Sequence, residues 1–406
     1  IIGKYLMSEI KIDWDGHITK YQAAMEDLNL DFCVLTRVKS ITYLTGCFVP
    51  WKSYLFLPKE GMGEPELFTV LLDVERIRAE GNLKNISGWS PLKGFYIEKK
   101  LLKTARKAGL YSPKGASPRI GVELGLDICV TGQMLSYTEA ELLKQVFSGC
   151  ELINFNDKTE RIQFIKEPEE IEMLRKASEI TDIGQDVVKK ELSERPEGKI
   201  FTENEITGIG TLAMRKAGSN YEWTFTGSQE IGSGYRASWT FNGCTPATNK
   251  EVKEGESLLV DLHSEYGCYL GDLSHNYVLG SCSSELKKFN EVYEQLCYTL
   301  IDNMYPGNSF EECYQNVHKV AEKEGCGKDL FFGLGHSIGI IGNESSPVVV
   351  PGKDWGSMVF EENMVEIAAV VFNRPGLGGL RLESPTLITS KGAEVLPKTP
   401  FEVDYV

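Results

Sequence analysis

Four residues of this 406-residue chain have the types and spacing to do chemistry together. Asp261 and Asp272 stand eleven residues apart, on two apolar runs joined by the turn Glu265-Tyr266-Gly267. That spacing can set two carboxylates side by side at one level of a hairpin. His336 sits in Gly333-Leu334-Gly335-His336-Ser337-Ile338-Gly339, where flanking glycines let the backbone approach a ligand. Glu383 ends the run Gly379-Leu380-Arg381-Leu382-Glu383. Acids inside apolar strands are costly unless paired or bound to an ion. Two Asp, a Glu and a His suit a hard divalent cation such as manganese. Each residue alone has a plainer reading: an Asp in a strand is more often at a turn or edge, and a His among glycines is as often packed as functional.

These residues need strands to hold them. Residues 257–263 read as a strand and 268–279 as its partner. Later strands are expected at 364–372 and 380–388, joined by the Gly/Pro stretch 375–379. Upstream, Lys166-Glu167-Pro168-Glu169-Glu170 places acids and a proline at a helix start, where the dipole favours the acids and proline loses no hydrogen bond. Ile171, Leu174, Ala177, Ile180 and Ile183 follow at three-residue steps and predict one buried face. A domain boundary is expected just before this helix, giving domains 1–160 and 161–406. The first mixes strands, at 31–35, 54–57, 65–71 and 119–123, with helical stretches, as an α/β domain does.

Charge and composition narrow the function classes. The chain carries 43 basic and 58 acidic residues, a net charge of −15. A chain this acidic is a poor candidate for nucleic-acid binding, which needs a basic face, and it lacks the polybasic arm that anionic membranes attract. No window approaches the roughly 18 consecutive apolar residues of a membrane span. The opening Ile1-Ile2-Gly3-Lys4-Tyr5-Leu6-Met7 is too short and mixed for a secretory signal. Ten cysteines are scattered without a Cys-x-x-Cys pair, which predicts reduced thiols and a cytoplasmic protein.

In order and context these pieces resemble the family of aminopeptidase P, prolidase and creatinase, from the Pro168 helix to Thr389. Val260-Asp261 and Gly271-Asp272-Leu273-Ser274 resemble its two-aspartate strand pair. Gly335-His336-Ser337-Ile338-Gly339 resembles its Gly-His-x-x-Gly segment, and Gly379 to Glu383 its Gly-x-Arg-x-Glu strand. Tyr43-Leu44-Thr45-Gly46 looks like a motif of the smaller domain of prolidase and creatinase. The resemblance implies an α/β N-terminal domain followed by an α+β pita-bread domain, and a homodimer. It also implies a metal set in which Asp261, Asp272, His336 and Glu383 fill four of five ligand places.

The chain departs from that pattern. The fifth ligand, five residues after Met364, falls on Ala369; Glu366 is three residues away and faces the other side of a regular strand. The proton-handling histidine is best matched by Cys244, since no histidine lies between His17 and His263. Asn343 stands where peptidases often carry a second His, and His275 where an Arg usually follows the second Asp. One divalent ion (Mn, Zn or Fe) or none is expected.

His336, Cys244 and Glu383 are the candidate catalytic groups, with ordinary packing the alternative for Cys244. Trp223, Tyr235, Arg236 and Trp239, near the cleft by resemblance, could box a cationic substrate group or simply pack. His275 and Arg381 complete the candidate substrate-binding set. The expectation is a diverged hydrolase or lyase cleaving a C–N or similar bond of a small polar or zwitterionic substrate. The alternatives are a manganese-dependent Xaa-Pro dipeptidase acting on dipeptides and a non-catalytic peptide- or protein-binding relative.

Overall fold

Local sequence punctuates the chain where its elements begin. The computed structural model describes residues 10–90, 100, 103, 117–125, 134–147, 149–220, 229–239, 246–331, 333–341, 343–353 and 355–406. Contacts divide the chain into two units, Ile1–Gln163 and Phe164–Val406.

In the first unit, helices α1 (Trp14–Asp27), α2 (Val38–Thr45), α3 (Val74–Glu80), α4 (Tyr137–Val146) and α5 (Asn156–Phe164) accompany a mixed sheet. Its strands are β1 (Phe32–Leu35), β2 (Tyr54–Pro58), β3 (Glu66–Val70), β4 (Asn85–Trp89), β5 (Arg119–Val122) and β6 (Glu151–Asn154), in the order β4-β3-β2-β1-β5-β6. The β1–β2 and β2–β3 pairs are antiparallel, and the outer pairs parallel. Phe32, Val34, Phe56, Ile120 and Val122 pack with Leu143 and Phe147 of the α4 end into its core. The Tyr43-Leu44-Thr45-Gly46 motif ends α2, where Gly46 takes the left-handed conformation that closes a helix.

The second unit opens with α6 (Pro168–Ser193). Proline occupies its first turn, and Glu167 and Glu170 form a reciprocal capping box. Ile171, Leu174, Ala177 and Ile180 are buried, but Ile183 is 43% exposed. Steps of three residues fall about 60° short of a full turn each, so the fifth member has rotated off the face. Burial continues instead through Gly184, Val188 and Leu192.

There follow α7 (Glu203–Lys216), β7 (Glu230–Ser233), a 3₁₀ turn at Gly234–Trp239, β8 (Ser257–Tyr266) and β9 (Tyr269–Val278). Next come α8 (Ser284–Asn303), α9 (Phe310–Lys323), β10 (Gly335–Ile338), β11 (Asn343–Val348), β12 (Val365–Arg374), β13 (Gly378–Thr389), β14 (Gly392–Val395) and β15 (Asp404–Tyr405). They build two sheets, β15-β9-β8-β7 and β11-β10-β12-β13-β14.

Each sheet packs one face on a pair of helices. Ile180, Val188 and Met214 of α6 and α7 pack on Leu258, Val260, Leu262 and Tyr277. Phe289, Leu296, Phe310 and Val317 of α8 and α9 pack on Ala368, Val370, Phe372 and Leu382. Strand alternation then sends the intervening residues of β8, β9 and β13 to the opposite faces, where Asp261, His263, Asp272, Ser274, Arg381 and Glu383 collect beside the apolar Ile367, Ala369 and Val371 of β12. No helix among the described residues is long and apolar enough to cross a membrane, and the described cysteines are free thiols.

Candidate metal centre

The β8–β9 hairpin turns at Gly267-Cys268, one step later than the sequence suggests, with φ of 59° and 73°. Positive φ at both positions is the geometry of a two-residue hairpin turn. This register opposes His263 to Asp272 and Asp261 to Ser274. The two aspartates are therefore diagonal neighbours on one face, rather than partners at one level. His263, two residues after Asp261, shares that face.

In the second sheet, β12 and β13 pair without a break from Val365 to Arg374. Ala369 faces Glu383, Val371 faces Arg381, and His336 on β10 faces Ile367. Directly opposed residues project to one side, so His336, Ala369, Glu383 and Arg381 line the same face. No bulge turns Glu366 toward it: Glu366 opposes Ser337 and Thr386 on the other side. Gly335 is required by this strand contact. Its φ is +147°, and a Cβ there would stand 2.1 Å from the Ile367 carbonyl oxygen.

Arg381, 1% exposed, ties the acids together. Its Nη2 bonds Asp261 and, at 3.1 Å, Glu230; its Nε lies 3.3 Å from Glu383 and donates to Ser274 Oγ at 3.2 Å. Ser274 in turn donates to Asp261 Oδ1 at 2.9 Å. Asn276 clips Arg381 in place, accepting from its backbone N–H at 3.1 Å and donating to its carbonyl at 2.8 Å. Gln229 grips the backbone of His263 on both sides, at 2.6 and 3.2 Å.

His263 Nε2 lies 3.4 Å from Asp261 Oδ2 and 3.2 Å from Asp272 Oδ1. Asp272 is fully buried, and among the described residues the His263 imidazole is the hydrogen-bonding group beside its carboxylate. Burial pulls the His263 imidazole down, but Asp261 and Asp272 raise it further, to about 10. Burial pushes Asp272 up, and His263 more than reverses this. Burial holds Glu383 well above the usual carboxylate range; Arg381 opposes the rise and Asp272 adds to it. Glu230 is likewise raised by burial against the pull of Arg381. The pocket thus carries an excess of negative charge that attracts a proton or a cation.

Asp261, His263, Asp272 and Glu383 bring one ligand atom each within 4.8 Å of one another. Sequence reasoning missed His263, although its place two residues after Asp261 on a strand was the available signal. His336 is not in this group. Its Nδ1 lies 3.0 Å from the Ser337 carbonyl oxygen, which in the neutral ring leaves Nε2 as the proton acceptor.

The other expected residues are placed differently. His275 alternates to the opposite face, where its Nε2 meets Asp404 at 2.8 Å and its ring packs edge-on to Tyr277. Arg236 is held by buried Glu203, whose carboxylate also receives the Ser233 and Thr248 N–H and hydroxyl groups. Tyr235 is 57% exposed beside the Lys250 ammonium. Trp223, Cys244 and the Trp239 side chain lie outside the described residues.

Residues 172–390 match the model of metallopeptidase family M24, and residues 17–165 that of the creatinase/prolidase N-terminal domain. The chain belongs to metallopeptidase family M24. It is a hydrolase of the creatinase/prolidase lineage, with that lineage's N-terminal domain and pita-bread domain.

The chain is 27% identical over 350 residues to an Xaa-Pro dipeptidase of Pyrococcus horikoshii, covering 82% of this chain and 94% of that one. Two solved structures share the fold. An Xaa-Pro dipeptidase from Bacillus anthracis has a TM-score of 0.79 at 21% identity, covering 97% of this chain and all of that one. An X-Pro aminopeptidase from Thermotoga maritima has a TM-score of 0.80 at 17% identity, covering 96% and 99%.

M24 enzymes use divalent metals, and the residues present suit one such ion. The donors are hard carboxylates with one imidazole, a set divalent transition metals accept. Asp272, fully buried with only an imidazole among the described residues to meet its carboxylate, is the kind of acid a cation satisfies. A second ion lacks the donor expected opposite Glu383, because Ala369 stands there.

Proposed function

We propose that this M24 member hydrolyses a C–N bond in a small polar or zwitterionic substrate at the Asp261, Asp272 and Glu383 cluster. The observation that carries the reading is the convergence of these carboxylates, with His263, at one buried point of a metallopeptidase fold. A bound divalent ion supplies Lewis acidity and lowers the pKa of water.

The chain's own residues do the rest. Arg381 and Ser274 fix Asp261 in one orientation, so no rearrangement is needed when charge develops. His336 is half-buried on the face that carries Glu383, with Nε2 able to take or return a proton at the substrate. The apolar strands and helices behind these groups keep bulk water out and strengthen each electrostatic contact.

The relative from Pyrococcus horikoshii bears the name Xaa-Pro dipeptidase along most of its length, which favours proline dipeptides as a narrower second reading. Ala369 weighs against it, since it removes a ligand of the two-ion centre implied for the family's peptidases.

The test is product release by the purified protein, followed by mass spectrometry. Xaa-Pro dipeptides, other dipeptides and small guanidino or ammonium zwitterions are offered with Mn, Zn or Fe supplied. Turnover that Asp272→Asn abolishes supports the proposal. Turnover confined to Xaa-Pro substrates selects the narrower reading. No turnover of any substrate overturns both.

A further inference from the structure

We infer that His263 is a metal ligand that makes this centre a one-ion, mixed nitrogen–oxygen site, resting on the reading that the carboxylate cluster is the reactive site. Three observations converge. First, the ligand position facing Glu383 is occupied by Ala369, and the unbroken β12–β13 register prevents Glu366 from replacing it. Second, His263 Nε2 stands 3.2 and 3.4 Å from oxygens of Asp272 and Asp261. Atoms bound to one ion at about 2.0–2.2 Å each, near tetrahedral angles, are separated by about that much. Third, Asp272 is buried and faces His263 across the hairpin, and among the described residues that imidazole is the hydrogen-bonding group its carboxylate meets.

The imidazole is placed by its strand. Gln229 holds both backbone polar groups of His263, and among the described residues the ring's Nδ1 has no hydrogen-bond partner. Its placement is set by the backbone register that Gln229 fixes.

The substitution changes more than the count of ligands. An all-oxygen set suits manganese and magnesium, whereas a nitrogen donor favours zinc, cobalt and iron. Losing the ligand at 369 while His263 points into the remaining site predicts one ion per chain, of the borderline class.

The experiment measures binding rather than turnover. The full chain is stripped with chelator and titrated separately with zinc, cobalt and manganese. Stoichiometry is read by elemental mass spectrometry, and the cobalt form by its visible absorption. The wild type is expected to bind one zinc or cobalt in preference to manganese. His263→Ala is expected to lose on the order of 10²-fold or more in zinc affinity. His263→Asp, which returns an oxygen donor, is expected to keep one ion and shift preference toward manganese; it decides the matter where His263→Ala fails to fold. Two ions per wild-type chain, no ion, or unchanged zinc affinity in both variants would each overturn the inference. One His263-dependent ion without hydrolysis of any substrate would leave this inference standing and defeat the proposed function. Hydrolysis by a wild-type chain that binds no ion would do the reverse.

Discussion

Arg381 offers the sharpest test of how the pocket is held. It is 1% exposed and contacts Asp261, Glu230 and Glu383. Replacing it with Gln removes the cation but leaves three carboxylates where solvent cannot screen them. Breaking a buried ion pair by removing one partner costs about 3–5 kcal/mol, far more than the loss of a surface pair. The whole chain is unsuited to a single unfolding midpoint, because it has two units. Amide hydrogen exchange read peptide by peptide isolates the effect. With about 1.4 kcal/mol per tenfold, protection in β8, β9 and β13 should fall by about 10²- to 10⁴-fold in the ion-free Arg381→Gln protein. Strands β1 and β2, in the other unit, should keep their wild-type protection and serve as the internal reference. Arg381→Lys retains a charge but not the fork that reaches three acceptors, and should lie between the two. A loss of less than tenfold in the hairpin and β13 would refute the claim that Arg381 holds the cluster together. An equal loss in β1 and β2 would refute its locality.

Other outcomes follow from single residues. Burial raises the Glu160 carboxyl, but Lys39 and Arg37 lower it further, to about 2. A carboxyl depressed in the folded state stabilises above its unfolded pKa of about 4.3 and stops doing so as pH falls through its folded value. Glu160 should thus contribute on the order of 3 kcal/mol at neutral pH, lost between about pH 4.5 and 2. Exchange protection of β1 in Glu160→Gln should lag wild type at pH 7, with the gap narrowing near pH 3; a gap independent of pH would contradict the assignment. Gly335→Ala would put a Cβ 2.1 Å from the Ile367 carbonyl oxygen and must push β10 off β12, carrying His336 with it. A displacement of this kind should lower kcat by about 10²-fold in the product-release assay, with circular dichroism unchanged; wild-type kcat would show that the position of His336 is not used.

What could be read from the amino-acid order depended on how local the signal was. The Pro168 helix start, the later strands and the hairpin are announced by caps, alternation and turn residues within a few positions of themselves. Ile183 misled because three-residue spacing resembles helical periodicity for only two or three steps. The three carboxylates do converge in space, but their register was not legible. One residue of slip at the Gly267-Cys268 turn decides whether Asp272 opposes Asp261 or His263. Cross-strand pairing is set by that turn and by the packing of α6 behind the hairpin, which no short window contains. Gly335 is a similar case: its need for glycine comes from a carbonyl oxygen on a strand some thirty residues away.

His263 and Ala369 make the stronger argument when taken together. Losing a carboxylate opposite Glu383 by itself would leave the pocket with less charge to hold an ion. Gaining a histidine between two aspartates by itself would crowd a site already supplied with ligands. Together, on the inferred one-ion reading, they place a nitrogen donor on the β8 hairpin where the resemblance implies an oxygen donor on β12. The oxygen donors that remain, Asp261, Asp272 and Glu383, are those that Arg381, Ser274 and His263 contact directly. A decaying site would shed charges independently, since each buried acid destabilises the fold that keeps it. Here the acids persist, fully buried at Asp261 and Asp272. Their cost is offset by a guanidinium clipped in place at both backbone polar groups and by an imidazole on the facing strand. That pattern is the one the inferred one-ion centre requires.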